Sequence, residues 1–119
     1  MLVEDDDGVR ALTRHVLQKS GYTVLEASNG GDAVRLAQGH QGTIHLLLTD
    51  VVMPQMGGRQ VAERLAEMRR GIKVLYCSGY TDDAVVRYGI LATGIAFIQK
   101  PYTPTLLAQK VRDVLDGRA

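Results

Sequence analysis

The chain has 119 residues, 45% of them hydrophobic, which suits one compact domain and leaves no room for two. Its formal net charge is +1 and its basic residues are scattered without a dense stripe, which argues against direct nucleic-acid binding. There is no apolar run of about 18 residues to span a membrane, the opening Met1-Leu2-Val3 turns acidic unlike a signal peptide, and the single cysteine, Cys77, reads as a buried thiol in a reducing, cytoplasmic setting.

Short aliphatic runs alternate with helix-spaced segments along the chain. Met1 to Val3 predicts a first strand, and Val9, Leu12, Val16 and Leu17 mark the face of a helix that Gly21 ends. Tyr22 to Leu25 predicts the second strand; Val34, Leu36 and Ala37 suggest a second helix, closed between Gly39 and Gly42. Ile44 to Leu48 is the third strand. Gly57-Gly58 opens a helix with Val61, Leu65 and Met68 on one face, and Gly71 ends it. Lys73 to Cys77 is the fourth strand, followed by a weaker helix around Ala84, Val85 and Tyr88, and then, after Gly94, a fifth strand from Ile95 to Ile98. Thr103-Pro104 starts the last helix, which carries Leu107, Val111, Val114 and Leu115 and stops at Gly117.

Several of these strands are nearly continuous apolar, as strands covered on both faces are. The expected fold class is therefore α/β: a doubly wound five-stranded parallel sheet, (βα)5, with right-handed crossovers and the flavodoxin-like order 2-1-3-4-5. Residues 1–119 form one domain. The first strand is short against a usual five or six residues, so the expectation is that it begins upstream of Met1, in a longer chain.

In an open α/β sheet, ligands bind beyond the carboxyl ends of the strands. Those ends carry Glu4 and Asp5, then Thr49 and Asp50, then Ser78 and Gly79, and finally Gln99, Lys100 and Pro101. Carboxylates gathered on one rim repel unless a cation shares them, and a hard divalent ion such as Mg2+ prefers oxygen donors. Asp5 and Asp50 are the expected direct ligands, with Glu4 acting through water and the Val52 carbonyl adding an oxygen. The plainer reading of Glu4 to Asp7 is a solvated helix start with Asp6 or Asp7 as cap. Asp50 after an apolar strand is costly if idle. Metal, the Lys100 ammonium and the Ser78 hydroxyl around one carboxylate make a constellation for phosphoryl transfer to Asp50.

With these residues placed, the chain resembles the receiver (response-regulator) domain of two-component phosphorelays. The resemblance rests on Val3-Glu4-Asp5-Asp6, on Leu48 through Gly58 around Asp50, on Tyr76-Cys77-Ser78-Gly79-Tyr80, and on Phe97-Ile98-Gln99-Lys100-Pro101-Tyr102. It implies that Asp50 is the phosphoacceptor, Ser78 the switch hydroxyl, Lys100 the conserved-type lysine of the family and Phe97 the rotating aromatic. It further implies a histidine kinase or histidine phosphotransfer domain as partner, an output face made by the last two helices and last strand that allows a homodimer, and self-catalysed phosphorylation and dephosphorylation without turnover as a stand-alone enzyme. The Ser78-Gly79-Tyr80-Thr81 and Lys100-Pro101-Tyr102-Thr103 segments look most like the C-terminal receiver of hybrid sensor histidine kinases.

Three rivals fit less well. A phosphomonoesterase using an aspartyl phosphate needs a cap and a general acid two residues past the nucleophile, where Val52 stands. A flavin carrier of the same sheet order would place cofactor phosphate against the acidic block Glu4 to Asp7. A degenerate receiver, acting as an interaction module without phosphorylation, would have lost reactive positions that are filled here.

Overall fold

The computed structural model describes residues 1–79 and 96–117. Five strands form one parallel sheet in the order β2-β1-β3-β4-β5. They are β1 (Leu2–Val3), β2 (Glu26–Ala27), β3 (Leu46–Asp50), β4 (Lys73–Ser78) and β5 (Ala96–Gln99). The described helices are α1 (Asp7–Lys19), α2 (Gly30–Gly39), α3 (Gly58–Met68) and a C-terminal helix (Pro104–Leu115). The expected fourth helix, with Tyr80 and Tyr88, lies outside the described residues.

Alternation along each strand feeds two cores. Val3, Leu47 and Tyr76 point to one face, against Ala33, Val34 and Ala37 of α2 and Val61, Ala62 and Leu65 of α3. Leu2, Leu48, Leu75 and Cys77 point to the other, against Leu17 of α1 and Leu107, Val111 and Val114 of the C-terminal helix. Leu47, Leu48, Leu65, Leu75 and Leu107 are fully buried, each contributing about 1.5–3 kcal/mol by removal from water. This is the doubly wound arrangement, and the sheet order matches the expected one.

The helix starts follow local chemistry. Asp6 caps α1, its carboxylate accepting from the Val9 amide at 3.0 Å, and Asn29 caps α2 through the Asp32 amide at 2.8 Å. Thr103 caps the C-terminal helix through the Leu106 amide at 3.1 Å, with Pro104 at its first position. Gly21, Gly71 and Gly117 all have positive φ, as chain reversals after helices require.

Some expected details differ. The second strand is Glu26–Ala27, not Tyr22 to Leu25, because β1 offers only Leu2 and Val3 as ladder partners and these register with Glu26 and Ala27. Leu25 contributes only its carbonyl, accepting from the Leu2 amide at 2.7 Å. The third strand is shifted toward the rim and includes Thr49 and Asp50. Leu12 and Leu36 are not core residues but exposed, at 60% and 37%; Thr13 and Ala33 occupy the inward positions instead.

Candidate functional site

The site is assembled where β1, β3 and β5 end. Glu4 follows β1 and is only 2% exposed, whereas the neighbouring Asp5 is open to solvent. Asp50 closes β3 and is 5% exposed. One carboxylate oxygen from each of Glu4, Asp5 and Asp50 lies within 4.8 Å of the other two.

Lys100, just past β5, answers this charge from the far end of the chain. Its Nζ is 2.7 Å from Asp50 Oδ1 and also donates to Glu4 Oε1. Its backbone amide donates to the Ser78 carbonyl at 2.8 Å, so β4 sets where the lysine leaves the sheet. Burial favours the neutral amine, but hydrogen bonds to Asp50 and Glu4 outweigh it and hold the ammonium above the usual lysine range. Glu4 is raised above the ordinary glutamate value, first by burial and then by its contact with the Asp50 carboxyl, against the opposing pull of Lys100.

The sequence treated Glu4 as a more distant partner than Asp5. In the fold Glu4 is the buried member of the pair and touches Lys100 directly. The Arg10 guanidinium fixes the turn by donating to the Glu4 carbonyl at 2.9 Å. Among the described residues, one ammonium facing three carboxylates leaves the rim short of positive charge. With hard oxygen donors only and Asp5 at the solvent side, this donor set suits a divalent cation of the magnesium or calcium kind.

The loop after β3 is held close. The Gly58 amide donates to the Val51 carbonyl at 2.9 Å, and Gln55 takes a positive φ of 69° within the turn. Val52 sits in this loop with 52% of its surface exposed at the edge of the acidic cluster's strand end. Ser78 ends β4 and is 1% exposed; because Asp50 registers with Cys77, Ser78 stands one residue further along the rim. Phe97 lies on β5 beside Tyr76, part-buried against the α2–α3 core.

Two contacts were not legible beforehand. The Cys77 thiol donates to Asp50 Oδ1 at 3.1 Å; its neighbours in sequence are apolar or Ser78, and only the β3–β4 register sets it opposite Asp50. The Thr13 and Tyr102 hydroxyls are 3.0 Å apart, joining α1 to the loop that carries Lys100. Burial pushes the Tyr102 phenol up to about 12, so it remains a neutral hydroxyl there.

A family model described as the response regulator receiver domain matches residues 1–112. Sensor kinase CckA of Brucella abortus is 35% identical over 98% of this chain, which spans 12% of that kinase's length. The response regulator receiver protein CpdR of the same organism is 30% identical over 97% of this chain and 94% of its own length. Among solved structures, the receiver domain of hybrid histidine kinase CckA superposes with a TM-score of 0.78 at 32% identity, covering 96% of this chain and 95% of that one. Among the described residues, no helix is long and apolar enough to cross a membrane.

Proposed function

The chain belongs to the response regulator receiver domain family, its acidic triad matching that family's phosphoacceptor and metal site, and we propose that Asp50 is the residue that accepts the phosphoryl group. The observation that carries this reading is Lys100, which reaches across the sheet to bind Glu4 and Asp50 together.

The phosphorus of a phosphohistidine, on a histidine kinase or a histidine phosphotransfer domain, comes in line with a carboxylate oxygen of Asp50. The new P–O bond forms as the P–N bond to the donor imidazole breaks, and that imidazole leaves with the electron pair. Asp50 is buried at the end of β3, and its contacts with Lys100 and Cys77 orient the carboxylate before the donor arrives. Lys100 shifts from the carboxylates toward a phosphoryl oxygen, and the Ser78 hydroxyl donates to another. Asp5 and Asp50 would hold magnesium directly, with the Val52 carbonyl as a further donor and Glu4 through water; the ion supplies charge neutralisation between carboxylate and phosphoryl.

The added negative charge favours a second arrangement of Ser78 and Phe97, and the face built on β5 and the C-terminal helix changes its partner preference, including for a second copy of the chain. The likeness to a sensor kinase of which this chain spans a small part, and to the receiver domain of a hybrid histidine kinase, supports a place within a longer hybrid kinase; the buried free thiol of Cys77 suits the reducing cytoplasm. The test is intact mass after treatment with a small phosphodonor, with and without magnesium. Wild type should gain one phosphoryl group only with magnesium and Asp50→Asn none; equal labelling of Asp50→Asn removes the assignment.

A further inference from the structure

Cys77 has no part in the transfer just described, yet it touches its central atom group. It lies on β4 directly opposite Asp50, is 3% exposed, and places Sγ 3.1 Å from the Oδ1 that Lys100 also contacts. An ordinary cysteine keeps its proton at neutral pH and a carboxylate oxygen only accepts, so the thiol is the donor in this contact.

Among the described residues, Lys100 and Cys77 both meet Oδ1, and they are held differently. Lys100 is on the loop past β5 and divides its ammonium between Glu4 and Asp50. Cys77 is packed within a strand among Leu75, Ile98 and Leu107 and has no comparable freedom. When Lys100 turns to a phosphoryl oxygen, the thiol is the donor that stays on the Asp50 carboxyl group.

Resting on the reading of Asp50 as phosphoacceptor, we infer that Cys77 is a positioning residue that shortens the lifetime of the phosphoryl group on Asp50. A carboxylate carries full negative charge when free and much less when joined to phosphorus. A fixed donor therefore stabilises the free form more than the phosphorylated one. In hydrolysis a water oxygen bonds to phosphorus, the bond from phosphorus to the Asp50 oxygen breaks, and its electron pair returns to the carboxylate. The water protons pass to phosphate and solvent. Charge grows on Asp50 through the transition state, where the thiol meets it while keeping its own proton.

The experiment compares wild type, Cys77→Ala and Cys77→Ser. Each is phosphorylated with acetyl phosphate and magnesium, desalted, and followed by intact mass as the label decays. Cys77→Ala should lose its label about three- to tenfold more slowly, the effect of one modest hydrogen bond, and Cys77→Ser, which restores a donor, should decay at the wild-type rate or faster. The infrared S–H stretch of the unphosphorylated protein gives a readout that packing alone does not move: it should lie lower in wild type than in Asp50→Ala, and it needs no Cys77 variant to fold. Equal lifetimes for wild type and Cys77→Ala, a Cys77→Ser that behaves like Cys77→Ala, or an S–H band indifferent to Asp50→Ala each overturn the assignment. A wild type that takes no label at Asp50 fails the phosphoacceptor reading itself, and this inference with it; a labelled wild type with unchanged lifetimes fails only Cys77.

Discussion

Gly58 and Asp50 are so close that a Cβ on Gly58 would stand 1.9 Å from the Asp50 carbonyl oxygen. The obstacle is backbone, and it belongs to the residue at the centre of the site. Gly58→Ala should therefore force β3 and α3 apart, costing about 3 kcal/mol of stability and displacing Asp50. Gly30 is a milder case, because the atoms nearest its own Cβ position are side-chain ones, Val61 Cγ2 at 2.8 Å and Met56 Cβ at 2.9 Å, and not a backbone carbonyl. Gly30→Ala should cost less, about 2 kcal/mol. Urea midpoints at constant slope measure both; equal losses would refute the distinction.

Removing the ammonium of Lys100 leaves Glu4 and Asp50 facing each other with no other cation between them among the described residues. Lys100→Ala should destabilise the metal-free protein by about 1–3 kcal/mol at neutral pH, discounted because the lysine is partly open to solvent. Magnesium should restore more melting temperature in the variant than in wild type, since it supplies the missing charge. Metal affinity should survive better than phosphoryl transfer, which calorimetric titration and mass labelling separate.

Val52 presents an exposed apolar side chain two positions past Asp50, with nothing to orient an attacking water. Val52→Asn adds a polar amide there and should speed loss of the aspartyl phosphate several-fold, to be followed by decay of the labelled mass. Indistinguishable decay would sink the idea.

What could be read in advance was fixed by local chemistry and by the sheet rule. An apolar run ending in Asp50, acids after the first strand and Lys100 after the last all had to meet once the strands were parallel and ordered 2-1-3-4-5. The contact of Cys77 with Asp50 could not be read, because it depends on register between β3 and β4, and a slip of one residue would turn Cys77 to the opposite face. The limits of β2 depend likewise on what β1 offers across the ladder, not on the β-prone residues Tyr22 to Leu25 themselves. Exposed Leu12 and Leu36 show the same limit for helices: spacing marks a stripe, and tertiary packing decides which edge of it is covered.

The hydroxyl bridge between Thr13 and Tyr102 fastens residues 89 positions apart. Through it, the segment bearing Lys100 is riveted to the first helix instead of hanging free at the sheet edge. The helix that follows Glu4 and Asp5 and the loop that carries Lys100 are thereby joined outside the sheet as well as at the rim, where the same lysine meets Glu4.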